Sequence, residues 1–399
     1  MRWRRSDAVD SSEPIFAAPG DWSGQAGKNQ RGRYMEERAR PMKVVHMDDR
    51  VYAYASGNPN ANGGSERYQW LLARAQAAAG WSVVVAVQEP LRPGERHVIE
   101  GVEFVGLDDG QILLAWYRFL TSERPQWCVL QCANHLWGPV VAAARLAGVR
   151  TIFSAMNDTD MRPRQALFHR QRWWPLYAWC LSWSDRIFVQ HGGQMSQLST
   201  RWRAKASVFP GIVGQTSAVK PHSERANYVV WVGVMRDHKR PDRLVEIARK
   251  APDVQFIVCG GPTHHRAPAN VEQIVSALRA LPNVDYRGHV APDKTLCVIA
   301  GASLLLSTSD EEGFPSVFLE AWSSGTPVVS LEIDPDQIIQ RYGLGAVSGN
   351  MESALEDIRA LINSPSRRDE IAVSARRYVT RTHSDAAAIE AFTSAIRES

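Results

Sequence analysis

From Lys43 onward, short apolar runs alternate with amphipathic stretches. Lys43–Met47 and Ser82–Val87 are apolar runs of strand length, and so are residues 129–132, 151–154 and Arg186–Val189. Between them the apolar spacing changes to a helical one. Residues 63–79 place Tyr68, Leu71, Leu72 and Ala75 on one face, and Gly80 ends the stretch. Residues 138–147 form another such helix. This strand–helix alternation predicts a parallel sheet covered on both faces.

A second series begins near Asn227. Strands are expected at Tyr228–Val232, 254–259, Val284–Gly288, 303–307 and 327–330, and helices at 242–250, 271–281 and 315–324. The α/β pattern therefore describes two Rossmann-like halves. A stretch rich in Gly, Pro, Ser and Thr, residues 209–223, is the expected linker. The expected division is an N-terminal half over 42–212, a C-terminal half over 213–383 and a last segment over 384–399. Two such halves create a cleft at the carboxyl ends of their strands, where ligands of these folds bind. Residues 1–41 are polar, charged and without period, so they read as a disordered extension, and Met35 or Met42 could be the natural start.

Composition narrows the class. The 399 residues carry 44% hydrophobic and 22% charged side chains, ordinary for a globular chain. A net charge of +4, spread along the chain, does not point to nucleic acid. Cys128, Cys132, Cys180, Cys259 and Cys297 include no C-x-x-C pair, and no His cluster completes a metal site. No apolar run reaches the ~20 residues of a membrane span, and no signal-peptide core follows the basic start. The expectation is a cytoplasmic protein with free thiols, any membrane contact being peripheral, at the inner face of the cytoplasmic membrane.

Candidate chemistry concentrates in residues 309–325, where a strand leads through a loop into a helix that Gly325 ends. Glu312 stands in the loop and Glu320 a little over one turn inside the helix. Carboxylates so placed can accept hydrogen bonds from sugar and ribose hydroxyls, and the free N–H groups of a helix start can bind phosphate. Spacing alone equally fits two surface carboxylates. Residues 231–242 form a strand, a cationic loop with Arg236, Lys239 and Arg240, and a helix. Cations there can stabilise charge building on a departing phosphate; a solvated basic turn is the plainer reading. The loop 56–66 carries Gly63 and Gly64 before a helix, which permits close backbone approach to a phosphate but also suits an ordinary turn.

Glu312-Gly313-Phe314-Pro315, the Glu320-Ala321 pair and the Ser-Gly-Thr-Pro-Val-Val tail closely resemble the E-x7-E motif of retaining glycosyltransferases of family 4, which have the GT-B fold. The resemblance covers about residues 43–392, and it implies that the last segment, 384–399, holds a helix crossing back to the first half. It implies that Glu312 touches the donor sugar, that Glu320 holds the ribose, and that backbone groups of Gly313, Phe314, Pro315 and Ser316 contact sugar or diphosphate. Lys239 matches the family's Lys. Its Arg usually follows the Gly directly, where this chain has Val234, so Arg236 is the shifted candidate and Arg240 a weaker one. Gly63 and Gly64 match the family's Gly-Gly-x-Glu loop. His135 is nearest to a His that contacts the donor sugar, with Asn134 its rival. Val290, in Arg287-Gly288-His289-Val290, with Gly260 and Gly261 on the same side, would border the nucleobase.

The resemblance implies transfer from a nucleoside-diphosphate sugar, UDP- or GDP-linked, to a glycan or lipid-linked acceptor in cell-envelope polysaccharide or glycoconjugate synthesis, with no metal and no other cofactor. Rivals are an epimerase or hydrolase on the same fold, a silent glycosyltransferase-like binding subunit, and a two-carboxylate glycoside hydrolase. Residues 161–183, with Arg162, Arg164, Arg170, Arg172, Trp173, Trp174, Trp179 and Trp183, could lie on an anionic membrane or form a core helix with a basic outer face.

Overall fold

The computed structural model describes residues 41–397 other than 59, 60, 62, 109, 168–171, 210, 215–219 and 263–266. The extension expected over 1–41 therefore lies, but for Pro41, outside the described residues, as does Arg170. Two sheets organise the rest. The first contains β1 (Lys43–Met47), β2 (Ser82–Val87), β3 (Arg96–Ile99), β4 (Val102–Gly106), β5 (Trp127–Gln131), β6 (Arg150–Ser154), β7 (Arg186–Val189) and β8 (Ala206–Val208), in the spatial order β3-β4-β2-β1-β5-β6-β7-β8. The second contains β9 (Tyr228–Val232), β10 (Gln255–Cys259), β11 (Val284–Gly288), β12 (Leu304–Ser307), β13 (Val328–Ser330) and β14 (Gly345–Val347), in the order β11-β10-β9-β12-β13-β14. The chain order reverses beside β1 and beside β9, which opens a crevice at the carboxyl ends of each sheet.

Neighbouring strands are parallel throughout, with one exception. β3 runs antiparallel to β4 at the sheet edge, so the first sheet is mixed rather than wholly parallel. The cause is local. Only Glu100 and Gly101 separate the two strands, and both have positive φ, 46° and 81°. A two-residue loop of that kind matches the strand twist and forces a hairpin. Central strands are buried along almost their whole length, so they read as continuous apolar runs. β5 stops at Gln131 because Cys132 turns the chain away at φ 58°.

The helices that shape the site are α1 (Gly64–Ala78), α2 (Ile112–Glu123), α3 (Trp137–Leu146), α4 (Trp174–Trp183), α5 (Pro241–Lys250), α6 (Ser316–Ser323), α7 (Pro365–Thr382) and α8 (Asp385–Arg397). Each domain has its own apolar interior. Val45, Val84, Leu130 and Phe153 share one with Trp116 and Tyr177. In the second domain Val229, Phe256 and Leu306 pack with Leu244 and Ile358.

The chain passes between domains twice, at 209–214 and at 383–385, and the two passages touch. The Val213 N–H donates to the His383 carbonyl at 3.1 Å. Beyond that point α8 packs on the first domain, with Phe392 fully buried beside Phe188, Phe209 and Trp81.

His46 in β1 is fully buried and contacts Gln76 of α1 at 2.7 Å. Burial lowers its pKa from 6.5 to about 4, against the opposing effect of Gln76. The unfolded chain takes up a proton below pH 6.5 that the folded chain refuses. His46 therefore costs stability progressively as pH falls from 6.5 to about 4, by up to about 3 kcal/mol. His46→Gln should flatten the acid limb of the urea-unfolding free energy over that range; an unaltered slope would refute the assignment.

Candidate functional site

In the C-terminal domain the site grows from the ends of β9, β10 and β12. Chain crowding dictates glycine here. A Cβ on Gly260 would lie 1.8 Å from the Gly233 carbonyl oxygen. The Met235 N–H then donates to the Gly261 carbonyl at 3.0 Å, which ties the start of the cationic loop to the end of β10. Arg236 follows, half-buried, and opens a short turn over Asp237–Lys239.

Lys239 is held from both ends. The Trp231 indole N–H donates to the Thr308 hydroxyl at 3.0 Å, and that hydroxyl donates to the Lys239 carbonyl at 2.7 Å. The Lys239 ammonium pairs with the Glu312 carboxylate, which also accepts from the Ser309 hydroxyl at 2.8 Å. Lys239 and Glu312, which lie far apart in sequence, thus form one cluster. Arg240 is committed elsewhere. Its guanidinium grips Asp242 through two hydrogen bonds, at 2.7 and 3.0 Å, and reaches Asp310 at 3.4 Å. Those carboxylates hold its pKa above the ordinary value.

α6 opens at Ser316, with Pro315 immediately before it rather than within the first turn. Glu320 is buried on α6, and its carboxylate pairs with Arg67 of α1, in the other domain. The side chains are only 10% and 13% exposed. Burial raises the Glu320 pKa, and the neighbouring Arg67 charge and hydrogen bond counter that rise.

Three more contacts cross the cleft. Gln190, just after β7, accepts from the Phe314 N–H at 2.9 Å. Asp336 accepts from the Gly192 N–H at 2.9 and 3.0 Å. Gly64 lies against α6, where a Cβ would sit 2.9 Å from the Ser316 hydroxyl oxygen. Gly64 and Ser316, expected on the same ligand from opposite halves of the sequence, therefore face each other. Gly63 is required for another reason. At φ 124° its missing Cβ leaves room for the Glu66 carboxylate, which takes the Ser65 hydroxyl at 2.7 Å and Arg50 at 2.8 Å.

His135 sits half-buried in the turn between β5 and α3. Its rival Asn134 has a local task, its carboxamide oxygen accepting from the Leu136 N–H at 3.0 Å. The Val290 carbonyl accepts from the Thr295 hydroxyl at 3.2 Å. Among the described residues, no group of three or more His, Cys, Asp or Glu side chains is placed to hold a metal ion.

Arg67, Gln190 and Thr308 escaped the sequence reading, and Ser309 was given no role there although it begins the carboxylate stretch. Arg67 directly follows the Gly-Gly loop and Thr308 directly precedes residues 309–325, so adjacency was the available signal. Nothing in the sequence around Gln190 distinguishes it.

The geometry has counterparts among known proteins. Residues 214–378 match the family Glycosyl transferases group 1, and residues 63–210 match the Glycosyl transferase 4-like domain. D-inositol 3-phosphate glycosyltransferase of Mycobacterium sp. (strain KMS) is 28% identical over 237 residues, 55% of this chain and 50% of that protein. The enzyme of the same name from Rhodococcus jostii (strain RHA1) is 25% identical over 280 residues, 62% and 58% of the two chains. The chain thus spans about half the length of the curated relatives it matches. Among solved structures, sucrose-phosphate synthase from Thermosynechococcus elongatus superposes with a TM-score of 0.70 at 16% identity, covering 90% of this chain and 98% of that one. Anabaena HepE, in complex with UDP and glucose, superposes with a TM-score of 0.66 at 14% identity, covering 90% and 100%. With both halves matched and the two-domain GT-B architecture in place, the chain belongs to family 4, group 1, of the glycosyltransferases.

Proposed function

We propose that this protein is a retaining glycosyltransferase that moves a sugar from a nucleoside-diphosphate sugar to a hydroxyl of a glycan or lipid-linked acceptor. The cluster of Lys239, Glu312 and Ser309 carries the reading. It places a fixed cation beside a carboxylate at the carboxyl end of β12, with the start of α6 next to both. Glu312 would bind hydroxyls of the donor sugar, and Lys239, with Arg236, would offset charge growing on the leaving diphosphate. Glu320 would exchange Arg67 for the ribose hydroxyls. The acceptor hydroxyl would attack from the face the diphosphate leaves, giving its proton to a diphosphate oxygen, so configuration is retained.

Several features support a nucleotide sugar as donor. The start of α6, beside Lys239 and Glu312, suits a diphosphate, because the first N–H groups of a helix have no partner within it. HepE, a fold neighbour, is in complex with UDP and glucose. A UDP- or GDP-linked sugar, and an acceptor belonging to envelope polysaccharide or glycoconjugate synthesis at the cytoplasmic face of a membrane, complete the proposal. Membrane contact through residues 161–183 belongs to it as well.

A thermal-shift screen with UDP-, GDP- and ADP-sugars tests the donor class. At least one should raise the melting temperature of the wild type, and Glu320→Ala and Lys239→Ala should each abolish that rise. No rise with any donor would sink the reading, and a rise that survives both changes would discard the site.

A further inference from the structure

Large apolar side chains are exposed unevenly over this molecule. Leu113, Leu114 and Tyr117 of α2 and Leu146 of α3 line one open groove of about 540 Å³. Leu146 is 70% exposed, among the highest values for a large apolar residue here. α2 packs beside α3, and α3 beside α4, whose last residue, Trp183, is 39% exposed. Arg145 joins the two regions, since its guanidinium lies 4.8 Å from the centre of the Trp183 ring and donates to the Trp183 carbonyl at 3.1 Å.

The charge on the helices of this face is basic, and exposed Asp108, just before α2, accepts from the Gly110 N–H at 2.9 Å. Arg118 and Arg145 are exposed on α2 and α3. The only acidic residue in α2, α3 and α4 is Glu123, which is buried and already paired with Lys43 and Arg96. A core-facing explanation fails because the interior is supplied by the opposite sides of these helices, through Trp116, Val140, Val141 and Tyr177.

We propose that the face built by α2, α3 and the end of α4 docks on an anionic lipid bilayer, with Leu113, Leu114, Tyr117 and Leu146 entering the headgroup–acyl boundary. An aqueous monomer gains nothing from clustering such residues, whereas burying each of them in the bilayer boundary is favourable. Exposed Arg118 and Arg145 would meet the lipid phosphates, which attract basic side chains to an anionic surface. The aromatic rings of Tyr117 and Trp183 suit the same interface. This surface extends the contact proposed above for residues 161–183 to α2 and α3, and it does not depend on the transferase chemistry.

The test is co-sedimentation of the full chain with vesicles of phosphatidylglycerol and phosphatidylcholine, against pure phosphatidylcholine. Wild type should bind the anionic vesicles. The triple change Leu113→Ser/Leu114→Ser/Leu146→Ser should reduce the bound fraction at least about tenfold. Arg118→Gln/Arg145→Gln should remove the preference for anionic lipid. Nucleotide-sugar thermal shifts should be the same in all three proteins, so failure of the donor reading and failure of this one are seen separately. No vesicle binding by wild type, or equal binding by the triple variant, would overturn the proposal. So would a concentration-dependent dimer that the triple variant abolishes, because the groove would then be filled by a second copy.

Discussion

Lys239→Met is expected to lower turnover by about 10²–10³ with the fold intact. The ammonium is fixed at both its backbone and its head, through Thr308 and Glu312. A charge held in place before reaction needs no rearrangement as the leaving diphosphate gains negative charge, and so acts mainly in the transition state. The loss should appear in kcat measured at saturating donor and also as a raised KM for the donor, because the ammonium holds the ground-state diphosphate too. Glu312 would be left facing Ser309 alone, so some loss of melting temperature is expected from an unpaired carboxylate. Lys239→Met/Glu312→Gln separates the two effects. The double change should recover the melting temperature and leave turnover low; recovery of both would show that the pair is structural.

Gly313→Ala should reduce kcat/KM by roughly 5- to 150-fold, from one added methyl group. A Cβ at that position would lie 2.3 Å from the Met156 carbonyl oxygen and 2.5 Å from the Gln190 carboxamide. Both belong to the other domain, and the first is backbone, which cannot swing aside. The methyl would push the carboxylate loop away from the first domain and break the bond between Gln190 and the Phe314 N–H. Phe314 and Met156 belong to the apolar clusters of the two domains, so the melting temperature should fall as well. Small-angle scattering should show a larger radius of gyration than wild type. Normal kinetics would mean that the contact between domains is not needed for reaction.

Much of this architecture was legible because parallel strands covered on both faces must be apolar throughout. Lys43–Met47, Ser82–Val87, Arg186–Val189 and Tyr228–Val232 stand where their apolar runs predict, and the edge strand Val284–Gly288, where Asp285 and Arg287 alternate with Val284 and Tyr286, also stands where expected. β3 and β4 were hidden, since β3 is an exposed edge strand whose polar positions give no apolar run. Its hairpin is signalled only by Glu100-Gly101, a weaker turn pair than Asn-Gly. β8 and β14 are three-residue strands, too short for a period to register.

Within the site, residues on one continuous strand–loop–helix segment were accessible to reading, as with Glu312 and Glu320. Partners supplied by the other domain were not. Arg67 opposite Glu320 and Gln190 opposite Phe314 arise from packing between surfaces far apart in the chain. Val234 shows a further limit. A cation absent from its usual place directs attention to Arg236 and Arg240, and only the structure shows that Asp242 and Asp310 already hold Arg240.

The return of α8 to the first domain has a consequence for biosynthesis. Phe392 fills a space among Phe188, Phe209 and Trp81, all of which leave the ribosome before the second domain is made. Domains ordinarily fold as units in the order of their synthesis. Here the first domain must wait with an open apolar pocket until its final helix, translated after the whole of the second domain, arrives to close it. A nascent chain stalled before Asp385 would display that pocket, which makes the interval a natural point for chaperone attachment.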